Sequence, residues 1–93
     1  MNQKLKNAIA IIKQIKNGEW EFEGHYPYSF SPYFECYTAK RKSIELWVAN
    51  GAFSCGIRDE PHQLGFYGIL VWFFAARKEV KKLERKMKRK TID

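Results

Sequence analysis

The residues of this chain best suited to metal chemistry are two cysteines and two histidines. Cys36, Cys55, His25 and His62 are types that zinc accepts as ligands, but no two of them have the CxxC or HxxxH spacing of a zinc site. Both cysteines also fit as small apolar residues on the buried face of a sheet. We therefore expect no metal and no other cofactor.

Nucleophilic catalysis would require a serine or cysteine beside a base. Ser54, Cys55, Asp59 and His62 lie near one another in the sequence. However, the chain lacks the GxSxG turn that exposes a catalytic serine and the glycine-rich loop that binds phosphates. We expect the protein not to be an enzyme, which leaves binding as the class of function to explain.

The charge that would drive binding is concentrated near the C-terminus. The formal net charge is +7, and residues 77–90, with nine basic and two acidic residues, account for all of it. Such a stretch favours an anionic partner, either nucleic acid or a nucleoprotein. The predicted contact residues are Arg77, Lys78, Lys81, Lys82, Arg85, Lys86, Lys88 and Arg89.

Two further groups could take part in binding. A basic triplet is expected on a hairpin turn, where it could contact phosphates or be merely solvated. An aromatic loop, punctuated by prolines between residues 25 and 32, could stack on unpaired bases, form a protein interface, or cover the edge of a small core. The triplet is Lys40, Arg41 and Lys42, and the aromatic residues are Tyr26, Tyr28 and Phe30.

A single small α+β domain must position these residues. The 93 residues suffice for one domain, with residues 77–93 as a basic helical extension. Residues 1–17 have the apolar spacing of a helix, with Asn2 as N-cap and Gly18 as the stop. About four strands should follow as an antiparallel meander, and a long helix from about residue 61 to 90 completes the fold. Glycines in its first turns allow a start as late as Phe66, and a fifth strand at residues 68–74 is a less favoured alternative. Both helices should cover one face of the sheet. The apolar face of the first helix is predicted to comprise Leu5, Ala8, Ile9, Ile12 and Ile15.

Alternation of apolar and polar residues predicts the strands. Trp20 and Phe22 should share the buried face of the first strand, and residues 39–42 should form the turn after the second. Asn50-Gly51 favours a two-residue hairpin turn. That turn would place Leu46 opposite Cys55.

The final helix carries an apolar seam with alternating spacings of three and four. Its second half, with Val80, Leu83 and Met87, should extend beyond the compact domain and needs a cover. The first helix or a second copy of the chain could provide one, so a homodimer is an alternative. The whole predicted seam is Phe66, Ile69, Phe73, Ala76, Val80, Leu83 and Met87.

Cellular location is predicted from what the sequence lacks. Two cysteines are too few for a disulfide scaffold, and the N-terminus has no continuous apolar signal segment. The longest apolar run, residues 64–76, is too short to span a membrane, although its basic continuation could bind anionic lipid. We expect a cytoplasmic protein.

Two resemblances bear on the function. The helix–sheet–helix order resembles the double-stranded-RNA-binding domain, but that family has a lysine cluster where this chain has the apolar residues 64–76. The small size and absent catalytic motif resemble phage-encoded inhibitors such as anti-CRISPR proteins. That resemblance implies a protein target, bound through the aromatic loop and the helix seam. A nucleic-acid or nucleoprotein binder is the leading hypothesis, and a protein-directed inhibitor or adaptor is the alternative.

Overall fold

A computed structural model describes residues 2–25, 35–50 and 54–92, with side chains for residues 2–23, 37–48, 55–60 and 62–86. It confirms the α+β class: an N-terminal helix and a long C-terminal helix cover one face of a four-stranded antiparallel sheet of order β1-β2-β3-β4. The elements are α1 (Gln3–Lys16), β1 (Glu21–His25), β2 (Glu35–Arg41), β3 (Ile44–Asn50), β4 (Ser54–Ile57), two 3₁₀ turns (Pro61–Gln63 and Gly65–Tyr67), α2 (Gly68–Val71), a π-helical segment (Trp72–Ala76) and α3 (Arg77–Ile92).

Helix α1 begins and ends as the sequence predicts. The side chain of Asn2 accepts a hydrogen bond of 2.8 Å from the backbone N–H of Lys4. Gly18 takes a left-handed φ of 76°, and its N–H donates to the carbonyl of Ile15.

The buried face of α1 is rotated from the predicted one. It consists of Ala8, Ile11 and Ile15, and Ile11 was not predicted. The rotation brings two polar side chains to the edge of the core, where both find partners. Asn7 donates to the carbonyl of Gln63, and Gln14 accepts from the indole N–H of Trp20. These hydrogen bonds offset the cost of placing polar groups beside the core.

The turn between β2 and β3 is shorter than predicted. Arg41 pairs with Ile44, so only Lys42 and Ser43 form the turn, and Ala39 lies buried inside the sheet. Lys42 has a φ of 59°. This left-handed conformation costs a non-glycine residue about 1 kcal/mol.

The predicted register of β3 and β4 is wrong by two residues. Leu46 pairs with Ile57 and Val48 with Cys55, because the loop after Asn50 is longer than a two-residue turn. Residues 51–53 lie outside the described part of the chain. Since side chains alternate with a period of two, an even shift leaves Leu46, Val48 and Cys55 on the buried face.

The C-terminal helix (residues 68–92, comprising α2, the π segment and α3) begins later than predicted and buries a different face. Phe66, Ile69 and Phe73 were expected in the core, but they are 91%, 42% and 51% exposed. The π segment accounts for the difference, because it adds a residue to one turn and shifts the phase of the helix. The buried positions are Gly68, Val71, Trp72, Ala75, Ala76 and Val80.

The buried face packs closely against both neighbouring layers. Helix α1 contacts α2 and the π segment, α2 contacts β4, and α3 contacts β1. A Cβ atom at Gly68 would collide with the carbonyl oxygen of Cys55. Glycine therefore sets the distance between the helix and the edge strand β4.

Candidate nucleic-acid interface

The solvent-facing side of the C-terminal helix, together with the 3₁₀ turn before it, divides into two parts along its length. The first, which we call the apolar patch, comprises Phe66, Ile69, Phe73 and Phe74, and Phe74 is 57% exposed. The exposed fractions of the three phenylalanines together amount to about two whole side chains, or on the order of 400 Å². An apolar surface of that size is typical of an interaction site on a small protein.

The second part, the cationic surface, follows on α3. All of its members are exposed. Among the described residues, Lys82 pairs with Glu79 at 3.4 Å and the other five form no ion pair. No described carboxylate therefore neutralises the charge of these five. The cationic surface comprises Arg77, Lys78, Lys81, Lys82, Arg85 and Lys86.

The opposite side of α3 fixes the orientation of the cationic surface. Val80 is fully buried in the core, and Leu83 packs against it. The hydroxyl of Tyr37 lies 3.3 Å from a carboxylate oxygen of Glu84 and donates to it, which ties the helix to β2. The cations thus project from a helix held by the fold. The seam residues Val80 and Leu83 are covered within the chain, whereas the side chain of Met87 lies outside the described residues.

The basic triplet does not join the cationic surface. Lys40 and Arg41 belong to β2, so the prediction that all three residues lie on the turn is wrong. Lys40 lies 3.5 Å from a carboxylate oxygen of Glu23, and Arg41 lies 3.0 Å from one of Glu19. These pairs neutralise two of the three charges. Lys42 remains exposed, five residues along the strand from Tyr37, or about 16 Å from where α3 meets the sheet.

A row of ion pairs crosses the sheet from Glu23 through Lys40 and Glu45 to Arg58. Glu45 lies 4.0 Å from Lys40 and receives a hydrogen bond of 2.8 Å from Arg58. The hydrogen bond from Arg58 holds the pKa of Glu45 below its ordinary value. Partial burial opposes that effect, and the charges of Arg58 and Lys40 add smaller contributions that lower the pKa. Since its cations face carboxylates, this side of the sheet does not extend the cationic surface.

Other predicted binding residues lie outside the described part of the chain. These are Tyr26, Tyr28 and Phe30 of the aromatic loop and the side chains of Lys88 and Arg89. Their part in binding stays a prediction.

The residues that could bind a metal are not brought together where the structure describes them. Cys55 is a free thiol buried in the core, and that burial raises its pKa far above the usual value. His62 is exposed, while the side chains of His25 and Cys36 lie outside the described set. Among the side chains that are described, no three of His, Cys, Asp and Glu are grouped as a metal site requires.

Sequence reasoning missed the apolar patch. The run of residues 64–76 is apolar on every side, so periodicity alone cannot indicate which side is buried. A signal was nevertheless present from residue 68 onward, since Gly68, Ala75 and Ala76 are the small residues of positions 68–76 and all three lie on the buried face. Small side chains permit the close approach that packing against a sheet requires.

Comparison of the chain with protein-family models, curated proteins and solved structures finds no match. Within the described ranges, no helix has the length and apolar character needed to cross a membrane. The function must accordingly be argued from the geometry of the helix and its charges.

Proposed function

We propose that this protein is a non-catalytic binding module that engages nucleic acid or a nucleoprotein surface through the cationic surface of α3. One observation carries the proposal: five exposed cations on one helix have no carboxylate partner among the described residues. Each phosphate that such a cation neutralises releases a counterion, which favours binding at low salt. The buried Val80 and the hydrogen bond from Tyr37 to Glu84 hold this part of α3 against the sheet.

The residue types on the cationic surface suit phosphates. Arg77, Lys81 and Arg85 follow one another at intervals of four residues, or about 6 Å along the helix axis. An arginine can hold one phosphate through two parallel N–H donors, whereas a lysine contributes a point charge. This arrangement follows a phosphate backbone without reading its sequence.

Fluorescence anisotropy of a labelled oligonucleotide, measured at about 50 and 200 mM salt, tests the proposal. The double variant Lys81→Gln/Arg85→Gln should lower affinity at the lower salt about tenfold or more and reduce the slope of log affinity against log salt by about two. The matched control is Lys6→Gln/Lys13→Gln, which removes the same charge from exposed positions of α1.

Two results would contradict the proposal. One is no binding of the wild-type protein at about 50 mM salt, where phosphate contacts are strongest. The other is an equal loss of affinity in the α1 control, since that would indicate a response to net charge and not to α3.

A protein-directed inhibitor or adaptor, of the kind phage proteins provide, is the second candidate. The apolar patch favours it, because exposed aromatic residues often dominate the energy of protein interfaces. The cations would then speed association with an acidic target. Loss of activity on replacing Tyr26, Tyr28 and Phe30 by alanine, combined with indifference to charge changes on α3, would favour this function. In both cases we place the protein in the reducing cytoplasm, which agrees with the free thiol of Cys55.

A further inference from the structure

We infer that the nucleic acid this protein binds is single-stranded, with unpaired bases stacked on the apolar patch and phosphates held by the cationic surface. This inference rests on the proposed function and names the ligand class for it. Proteins that bind single strands without sequence preference combine these two features: cations that follow the backbone and aromatic rings on which bases stack.

The two surfaces are adjacent along the C-terminal helix, and Phe66 lies in the 3₁₀ turn just before it. Phe73 and Arg77 are four residues apart, as are Phe74 and Lys78, so these two rings each neighbour a cation on the helix surface. A single strand of nucleic acid lying along the helix would contact the rings of the apolar patch and then the cations of the cationic surface. A nucleotide offers the matching pair of groups, a flat base and a charged phosphate.

The side chains of the apolar patch are suited to stacking on bases and not to recognising their sequence. Phe66, Phe73, Phe74 and Ile69 carry no hydrogen-bonding group in their side chains, so they cannot distinguish the edges of bases. Every base, however, has a face that can stack on an aromatic ring. In a duplex the faces are already stacked on neighbouring bases, and the patch would gain nothing from them.

A second copy of the chain fits the patch less well. A stable interface buries roughly 800 Å² on each partner, about twice the exposed area of the three phenylalanines. Two copies that pair their patches in parallel would also bring two cationic surfaces together. Both area and charge therefore favour an anionic occupant.

The test compares a fluorescein-labelled strand of fifteen thymidines with a labelled fifteen-base-pair duplex, by anisotropy at about 50 mM salt. The wild-type protein should bind the single strand about tenfold more tightly or better. Phe66→Leu/Phe74→Leu keeps most of the apolar area and removes two aromatic faces, so it should weaken single-strand binding about tenfold and leave duplex binding unchanged. Ile44→Leu, at an exposed apolar position of β3 outside the apolar patch, is the matched control and should change neither. The replaced positions are largely exposed, and circular dichroism verifies that each variant folds.

The outcomes separate this inference from the proposed function. Equal binding of both ligands, with the leucine variant unaffected, overturns the inference and leaves phosphate binding by α3 in place. Absence of binding to either ligand overturns both. Vesicles of phosphatidylglycerol and phosphatidylcholine form a third arm: if they capture the protein while the thymidine strand does not, a lipid surface is the occupant and the inference is wrong.

Discussion

At the scale of single residues, Gly68 determines how closely the C-terminal helix approaches β4. The carbonyl oxygen of Cys55 lies so near that the Cβ of any other residue would collide with it. Gly68 is the first residue of α2, where helix propensity alone would favour alanine over glycine. Close packing against the backbone of β4 outweighs that preference, because a backbone atom cannot move aside as a flexible side chain can.

Replacing Gly68 by alanine should therefore destabilise the protein. We expect the free energy of unfolding to fall by about 2–3 kcal/mol through overpacking, despite a gain of up to about 1 kcal/mol in helix propensity. Urea denaturation measures the change. Lys78→Ala, at an exposed position of the same helix, should have almost no effect. An increase in stability for Gly68→Ala would show that the helix does not lie this close to β4.

Cys55 should be chemically inert in the folded state. Its burial raises the pKa of the thiol, and only the thiolate reacts with disulfide reagents. In a Cys36→Ser background, labelling of Cys55 by a coloured disulfide should proceed only as fast as the protein opens, and urea should accelerate it. Native labelling at the rate of a small free thiol would contradict the burial of this residue.

At the scale of elements, the strands were predictable and the phase of the long helix was not. Trp20 and Phe22 alternate with glutamates, so the contrast between apolar and polar residues identified the buried side of the first strand. The register of β3 and β4 depended on the length of a loop, which alternation does not encode. In residues 64–76 the contrast between apolar and polar residues is absent, so periodicity could not reveal the π segment, and only the small residues marked the buried side. The candidate site shows the same division: the sequence identified the cations of α3 but assigned Phe66 and Phe73 to the core.

The ion pairs of Glu45 with Arg58 and Lys40 should make the stability of the sheet depend on pH. The folded pKa of Glu45 lies below its ordinary value of 4.5, so the stabilising contribution is complete above about 4.5 and is lost as pH falls through the lower folded pKa. Glu45→Gln should accordingly flatten the decline in unfolding free energy between about pH 6 and pH 3.

Matched denaturation curves check this pH dependence. Glu21→Gln, at an exposed position of β1 without a described ion pair, serves as the control and should retain the slope of the wild-type protein. If Glu45→Gln declines as steeply as the wild type, the hydrogen bond from Arg58 does not stabilise the folded state.

At the scale of the whole molecule, the chain is elongated, with extents of 48 × 29 × 23 Å. Two residues of the predicted apolar seam are covered by other residues of the same chain, because Val80 is buried and Leu83 packs on the core. The need for a second copy to cover these residues is thereby removed. The net charge of +7 remains, and the cations of α3 that pair with no described carboxylate lie on the side turned away from the core.

Val80→Ala should consequently lower stability without changing the molecular mass in solution. We expect a loss of about 2 kcal/mol in unfolding free energy, the cost of removing buried methyl groups. Its neighbour Lys81, replaced by alanine, should leave stability nearly unchanged. Light scattering at two concentrations should give the same mass for the wild type and for both variants. Dissociation of a wild-type dimer by Val80→Ala would show instead that this residue lies between two copies.

The π segment should make the helix tolerant of losing one residue between Gly68 and Val80. Because a π turn holds one residue more than an α turn, a deletion within residues 72–76 would restore an ordinary α turn and leave Val80 in the core. The same deletion just before Val80 in α3 would instead turn the rest of the helix by roughly 100° about its axis and remove Val80 from the core.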